Sequence, residues 1–247
     1  RLPGSEQCGM GLNCCEANGP RGLFAIPMHL VMERKEGLQV NYFSEGTFQL
    51  KSPRGSLVTL TQHTDYPKSG AIEMTVDLQK PEAMEIDIRI PGWSKSTKLS
   101  VNGVAVDNMQ PGQYAQIKRA WKTGDKISLE LDMRGHIVET GTSTRSIAIL
   151  RGPIVLSRDS RFEGASIAAV LKPVADKGGY ITLTPVPNQT SDDILMLYKV
   201  DFIPESYTES PKGPVSITLC DYASAGNGHE NSFYKVWSPQ LLNPSTY

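Results

Sequence analysis

Glu85-Ile-Asp-Ile-Arg-Ile90 places an apolar residue at every second position, the period of a strand with one buried and one wet face. Four stretches before it repeat the pattern: Leu38-Gln-Val-Asn-Tyr-Phe43, Thr47-Phe-Gln-Leu50, Leu57-Val-Thr-Leu-Thr-Gln62 and Ile72-Glu-Met-Thr-Val76. Strict alternation is the habit of antiparallel sheets packed face to face as sandwiches. Pro91-Gly-Trp93 closes one strand, and Lys98-Leu-Ser-Val-Asn-Gly-Val-Ala-Val106 reads as a hairpin turning at Asn102-Gly103. Tyr114-Ala-Gln-Ile117 and Ile127-Ser-Leu-Glu-Leu131, with a turn around Thr123-Gly-Asp125 between them, complete a first β unit ending near Met133.

A second unit begins around Ser146-Ile-Ala-Ile-Leu-Arg-Gly-Pro-Ile-Val-Leu156, the boundary falling between Arg134 and Arg145. Pro173, Gly178, Gly179, Pro185 and Pro187 predict long loops through its middle. Met196–Val200, Val215–Leu219 and Phe233–Trp237 read as its closing strands. The opening of the chain differs from all of this. From Glu16 to about Glu36, Leu23, Phe24, Ile26, Leu30 and Val31 recur at near-helical spacing, with Asn18 as N-cap and Pro20 in the first turn. This predicts one amphipathic helix, kinked or started late by Pro27, whose apolar face needs a partner.

Composition narrows the function. Lys plus Arg number 25 against 26 Asp plus Glu, which leaves no electrostatic footprint for nucleic acid or an anionic membrane. The longest apolar stretch, Leu23 to Met32, is broken by Pro27 and His29 and falls well short of the roughly 20 residues of a spanning helix. No basic-then-apolar leader opens the sequence, but it starts on Arg1, so export to a periplasm or beyond the cell stays open. Three of the 4 cysteines, Cys8, Cys14 and Cys15, crowd into the start of the chain, while Cys220 lies in a strand-like run and reads as a core side chain. The adjacent pair cannot easily bridge to itself without distorting its peptide. It reads either as a local metal or thiolate cluster, or as a nucleophile, or as inert small apolar side chains.

Cys14-Cys15-x-x-Asn18, Gly37-Leu-Gln-Val-Asn41, Arg89-Ile-Pro-Gly-Trp93, Val101-Asn-Gly103, Trp121-x-x-Gly-Asp125, Leu150-Arg-Gly-Pro153 and Leu219-Cys-Asp-Tyr-Ala-Ser-Ala-Gly-Asn227 follow one another in order. Together they resemble the C-terminal half of the family 127 glycoside hydrolases, which include β-L-arabinofuranosidases. The resemblance implies a mainly β fold: the last helix of an (α/α)6 catalytic barrel in residues 1–36, then two antiparallel, jelly-roll-like β-sandwiches in 37–139 and 140–247. It implies Cys14 as nucleophile and Cys15 as zinc ligand, with Cys8 a candidate additional ligand, and an oligosaccharide or polysaccharide substrate. The other zinc ligands and an acid/base Glu are implied to come from barrel segments upstream of Arg1. A retaining glycosidase needs two groups roughly 5 Å apart across the scissile bond, so this chain alone is not expected to hydrolyse a glycoside.

Glu16 and Ala17 stand where typical members have two prolines, beside the implied nucleophile, which leaves the exact sugar open. Glu16 suits a helix N-terminus as well as a metal, and Arg21 suits a solvated helix face as well as a sugar. His29 reads as a packing histidine; His63, His136 and His229 have no metal spacing, and Asp65 reads as a turn residue. Trp93, Trp121 and Trp237 are sugar platforms or, more simply, core. Asn188-Gln-Thr190 is a sequon without further support. Beside the hydrolase reading stand two others: a non-catalytic carbohydrate-binding pair of sandwiches, and a structural scaffold with inert cysteines.

Overall fold

The computed structural model describes residues 14–140, 145–162, 166–187, 194–206, 213–227 and 232–241. Two compact units divide the chain between Leu131 and Asp132. The first opens with helix α1 (Cys14–Ala25) and a 3-10 turn (Pro27–His29). Its strands are β1 (Val31–Arg34), β2 (Gly37–Val40), β3 (Gly46–Lys51), β4 (Leu57–His63), β5 (Ala71–Leu78), β6 (Glu82–Arg89), β7 (Lys98–Val101), β8 (Val104–Ala105), β9 (Tyr114–Trp121) and β10 (Asp125–Glu130). They form a four-stranded sheet, β1-β2-β6-β9, and a six-stranded sheet, β3-β4-β5-β10-β7-β8. Every pairing in the two is antiparallel except β2 with β6.

The alternation expected from the sequence is the packing observed. Leu60, Ile72, Met74 and Val76 from the larger sheet and Leu38, Ile86, Ile88 and Trp121 from the smaller are fully buried and form the sandwich core. Each such side chain contributes about 1.5–3 kcal/mol through removal from water. Trp121 is thereby a core residue and no sugar platform; its indole Nε1–H donates to the Met84 carbonyl at 3.1 Å. The Asn102-Gly103 hairpin has both residues at positive φ, +52° and +79°, the combination that matches the twist of its strands. Two motifs meet there: Asn102 donates through Nδ2 to the buried Asp125 carboxylate at 2.9 Å and accepts from Lys126 N–H at 2.9 Å.

One expectation fails. The helix stops at Ala25, and Val31–Arg34 is a strand that pairs with Gly37–Val40 across Lys35-Glu36. Pro27 contributes to the stop because it has no N–H to donate; Ile26 keeps helical angles (φ −58°, ψ −50°) and the chain passes into the 3-10 turn. Asn18 lies inside the helix, not at its cap, and its Oδ1 accepts from Arg21 Nη2 at 2.9 Å. Leu30 and Val31 are buried in the sandwich, but Leu23, Phe24, Ile26 and Met28 stay exposed. Gly37 leaves no room for a side chain against β6: a Cβ would run into the Glu85 carbonyl. Gly37→Ala is therefore expected to lower stability by about 2–3 kcal/mol, read as a shifted chemical-denaturation midpoint.

The second unit contains β11 (Gly135–Glu139), β12 (Ser146–Arg151), β13 (Ile154–Asp159), β14 (Leu171–Pro173), β15 (Tyr180–Ile181), β16 (Thr184–Pro185), β17 (Leu197–Pro204), β18 (Val215–Asp221), β19 (Tyr234–Lys235) and β20 (Ser238–Pro239). They pair antiparallel in one ten-stranded sheet along the path β14-β17-β18-β13-β12-β11-β15. A bridge between Ala175 and Ile181 brings the two ends of the path together, around a core that includes Leu156, Leu171, Val200, Phe202 and Leu219. Leu150-Arg-Gly-Pro153 makes the β12–β13 turn, with Gly152 at φ +55° and proline's fixed φ following it. The fold is mainly β: among the described residues, sandwich domains are preceded by one helix.

Candidate functional site

Cys14 and Cys15 lie in the first turn of α1 as described, in backbone only, and Cys8 lies outside the described residues. So do His229 and Asn188 of the sequon. A helix N-terminus favours a thiolate through its unpaired N–H groups and dipole. Successive helical residues project about 100° apart, so two adjacent cysteines cannot by themselves enclose one ion. Zinc takes four ligands at tetrahedral angles, and among the described residues no three His, Cys, Asp or Glu gather to supply the remainder. The described residues therefore hold no complete zinc donor set.

The 3-10 turn that follows this helix is tied to the first sandwich by a polar knot that the sequence pattern does not show. Asn41, last residue of the Gly37–Asn41 motif, donates through Nδ2 to the His29 carbonyl at 2.9 Å. Its backbone N–H donates to the Leu30 carbonyl at 2.8 Å. Its Oδ1 accepts from the Tyr114 hydroxyl at 2.6 Å and from Gln39 Nε2 at 2.8 Å. His29 therefore contributes its carbonyl to the knot. The only sequence signal was Asn41 itself, a short polar residue at the end of an alternating strand.

Elsewhere the candidate residues resolve into structural ones. Asp65 accepts from Lys68 N–H at 2.7 Å in a turn, as expected. Cys220 is fully buried, and burial, together with the Asp159 and Asp221 carboxylates, pushes its thiol up to about 12, which leaves it inert as a nucleophile. Burial works to raise the Asp125 carboxyl as well, but the Asn102 amide, Lys122 N–H and Arg119 outweigh it and hold the group below its ordinary range. Trp93 is half-buried. Trp237 departs from the core reading: it is 47% exposed and stands beside Tyr222 and Tyr234 on the second unit. Among the described residues, no helix is long and apolar enough to cross a membrane.

The fold of this chain has counterparts in solved glycoside hydrolases. One GH127 β-arabinofuranosidase matches with 23% identity and a TM-score of 0.77, over 94% of this chain and 39% of its own. A GH127 β-L-arabinofuranosidase from Geobacillus stearothermophilus T6 matches with 22% identity and a TM-score of 0.75, over 94% and 38%. Another glycoside hydrolase matches with 24% identity and a TM-score of 0.71, over 93% and 40%. At these identities the likeness speaks for the fold alone, and the chain spans about two fifths of those proteins. No curated protein matches the sequence. Residues 37–133 match the family model "Beta-L-arabinofuranosidase, GH127 middle domain". The first sandwich is thus similar to a GH127 middle domain, and the chain shares its fold with the matching part of those glycoside hydrolases.

Proposed function

We propose that the chain is the C-terminal part of a retaining glycoside hydrolase acting on β-L-arabinofuranosides or a related plant-polysaccharide sugar. The observation that carries this reading is the GH127 middle domain at residues 37–133 directly behind a helix that begins with two cysteines. In it, Cys14 supplies the nucleophile. Its thiolate attacks the anomeric carbon, a C–S bond forms, and the glycosidic C–O bond breaks. An acid from an upstream barrel protonates the departing oxygen. Water then displaces the sulfur, and the double displacement retains configuration. Zinc bound through Cys15, with Cys8 as candidate further ligand, would supply positive charge that keeps thiol sulfur ionised. Asn41 and Tyr114 act as positioning residues, because they tie the end of the cysteine segment to the sandwich.

The test compares two proteins. The full-length protein should hydrolyse an aryl β-L-arabinofuranoside with retention, and the 247-residue chain should not. Hydrolysis with inversion by the full-length protein, or none on any furanoside, would overturn the assignment.

A further inference from the structure

The second unit carries an aromatic face that the proposed catalysis does not use. Tyr222, Tyr234 and Trp237 border a groove of about 630 Å³ whose floor includes Leu150 and Val155, with Lys235 at its side. Tyr222 is 53% exposed, Tyr234 48% and Trp237 47%. The volume lies within the roughly 300–1,000 Å³ usual for small-molecule sites. Single exposed aromatics are ordinary, but three on one groove are not. The two tyrosine rings meet edge to face, with centroids 6.0 Å apart at 62°.

Buried polar groups hold the turn on which Tyr222 and Tyr234 sit. Tyr222 opens a 3-10 turn (Tyr222–Ser224) capped by Asp221, which accepts from Ser224 N–H at 3.0 Å and Ser224 Oγ at 2.6 Å. Arg161 donates to the Ser224 and Asn227 carbonyls at 2.7 and 2.5 Å. Asp159 accepts from Gly226 N–H at 2.8 Å. Gly226 has φ +70°, and a Cβ there would come within 2.8 Å of the Tyr234 ring. Glycine at 226 thus lets Tyr234 lie directly on the turn backbone. Rings fixed before a ligand arrives bind without the entropic cost of ordering them.

We propose that the Tyr222–Tyr234–Trp237 face is a second, non-catalytic saccharide-binding surface, taking a neutral arabino-oligosaccharide. Apolar ring faces suit the C–H face of a furanose or pyranose ring, and the phenol hydroxyls, indole N–H and Lys235 ammonium supply hydrogen bonds at its edge. Among the described residues no carboxylate lines the groove, which suits a neutral ligand. The choice of sugar rests on the glycoside hydrolase reading; the surface itself rests on the groove.

The probe is a linear arabinotetraose titrated into the 247-residue chain and followed by calorimetry. Binding in the millimolar range or tighter is expected, weakened about tenfold or more by Trp237→Ala and by Tyr234→Ala, with unchanged melting midpoints. Gly226→Ala should weaken binding too, while Trp237→Tyr, which keeps a ring, should retain most of it. Absence of binding at about 10 mM, ten times a millimolar constant, would overturn the surface, as would equal affinity in both alanine variants. A wild-type dimer that Trp237→Ala converts to monomer would also overturn it, by showing a second copy on this face. Since the 247-residue chain is expected to be catalytically silent, a negative titration leaves hydrolysis by the full-length protein standing. Loss of that hydrolysis likewise leaves a positive titration standing.

Discussion

Cys14→Ala in the full-length protein is expected to lower kcat for an aryl β-L-arabinofuranoside by about a thousandfold or more, the scale seen when a nucleophile is removed from a site that otherwise persists. The melting temperature should stay within a few degrees, because a helix N-terminal side chain carries little of the sandwich's stability. Cys15→Ala should separate from it. A ligand's loss lowers zinc content together with rate, whereas Cys14→Ala loses rate with Cys15 still available to the metal. External azide offers a second readout: small anions often rescue nucleophile variants by attacking the anomeric carbon themselves, giving an inverted glycosyl azide. Full activity in Cys14→Ala would remove the nucleophile from the proposal. Parallel loss of zinc in both variants would instead make Cys14 a ligand.

Most of the first sandwich was legible because its local signals agree with one another. In Lys98–Val106 the alternation, the Asn102-Gly103 turn and the cross-strand partner Asp125 all favour one hairpin. Residues 31–34 were not legible. Leu30 and Val31 fall on the same helical spacing as Leu23 and Ile26, and Lys35-Glu36 carries none of the glycine or asparagine that marks a tight turn. What makes them a strand is the parallel alignment of β2 with β6. That is a tertiary event with no local trace except Gly37, whose missing side chain permits it. The cysteine pair stood out by composition alone. The knot at Asn41 and the groove at Trp237 did not, because each joins residues distant in sequence: Tyr114 lies 73 positions from Asn41. Tyr222 and Tyr234 come together only because β13 pairs with both β18 and β19.

Asp159→Ala is expected to cost the second unit about 3–5 kcal/mol, the scale for breaking a buried ion pair from one side. Asp159 is buried and pairs with Arg161, accepting from Nε at 3.0 Å and Nη2 at 2.8 Å. It also accepts from the backbone N–H groups of Arg161 at 2.9 Å and Gly226 at 2.8 Å. Alanine would leave a cation and two N–H donors without their carboxylate, in a place water reaches poorly. Asp159→Asn keeps the shape and one acceptor, so it should cost less. The same group gives the effect a pH signature. Burial acts to raise the Asp159 carboxyl, but the Arg161 guanidinium and the two N–H donors outweigh it, so its folded pKa lies below the ordinary value. The unfolded chain then binds more protons in that window. The pair's stabilisation is complete above about pH 4 and is lost as pH falls through the folded pKa. Denaturation midpoints of the wild type should therefore drop more steeply on acidification below about pH 4 than those of Asp159→Ala. Parallel pH profiles would show that ionised Asp159 contributes nothing to stability.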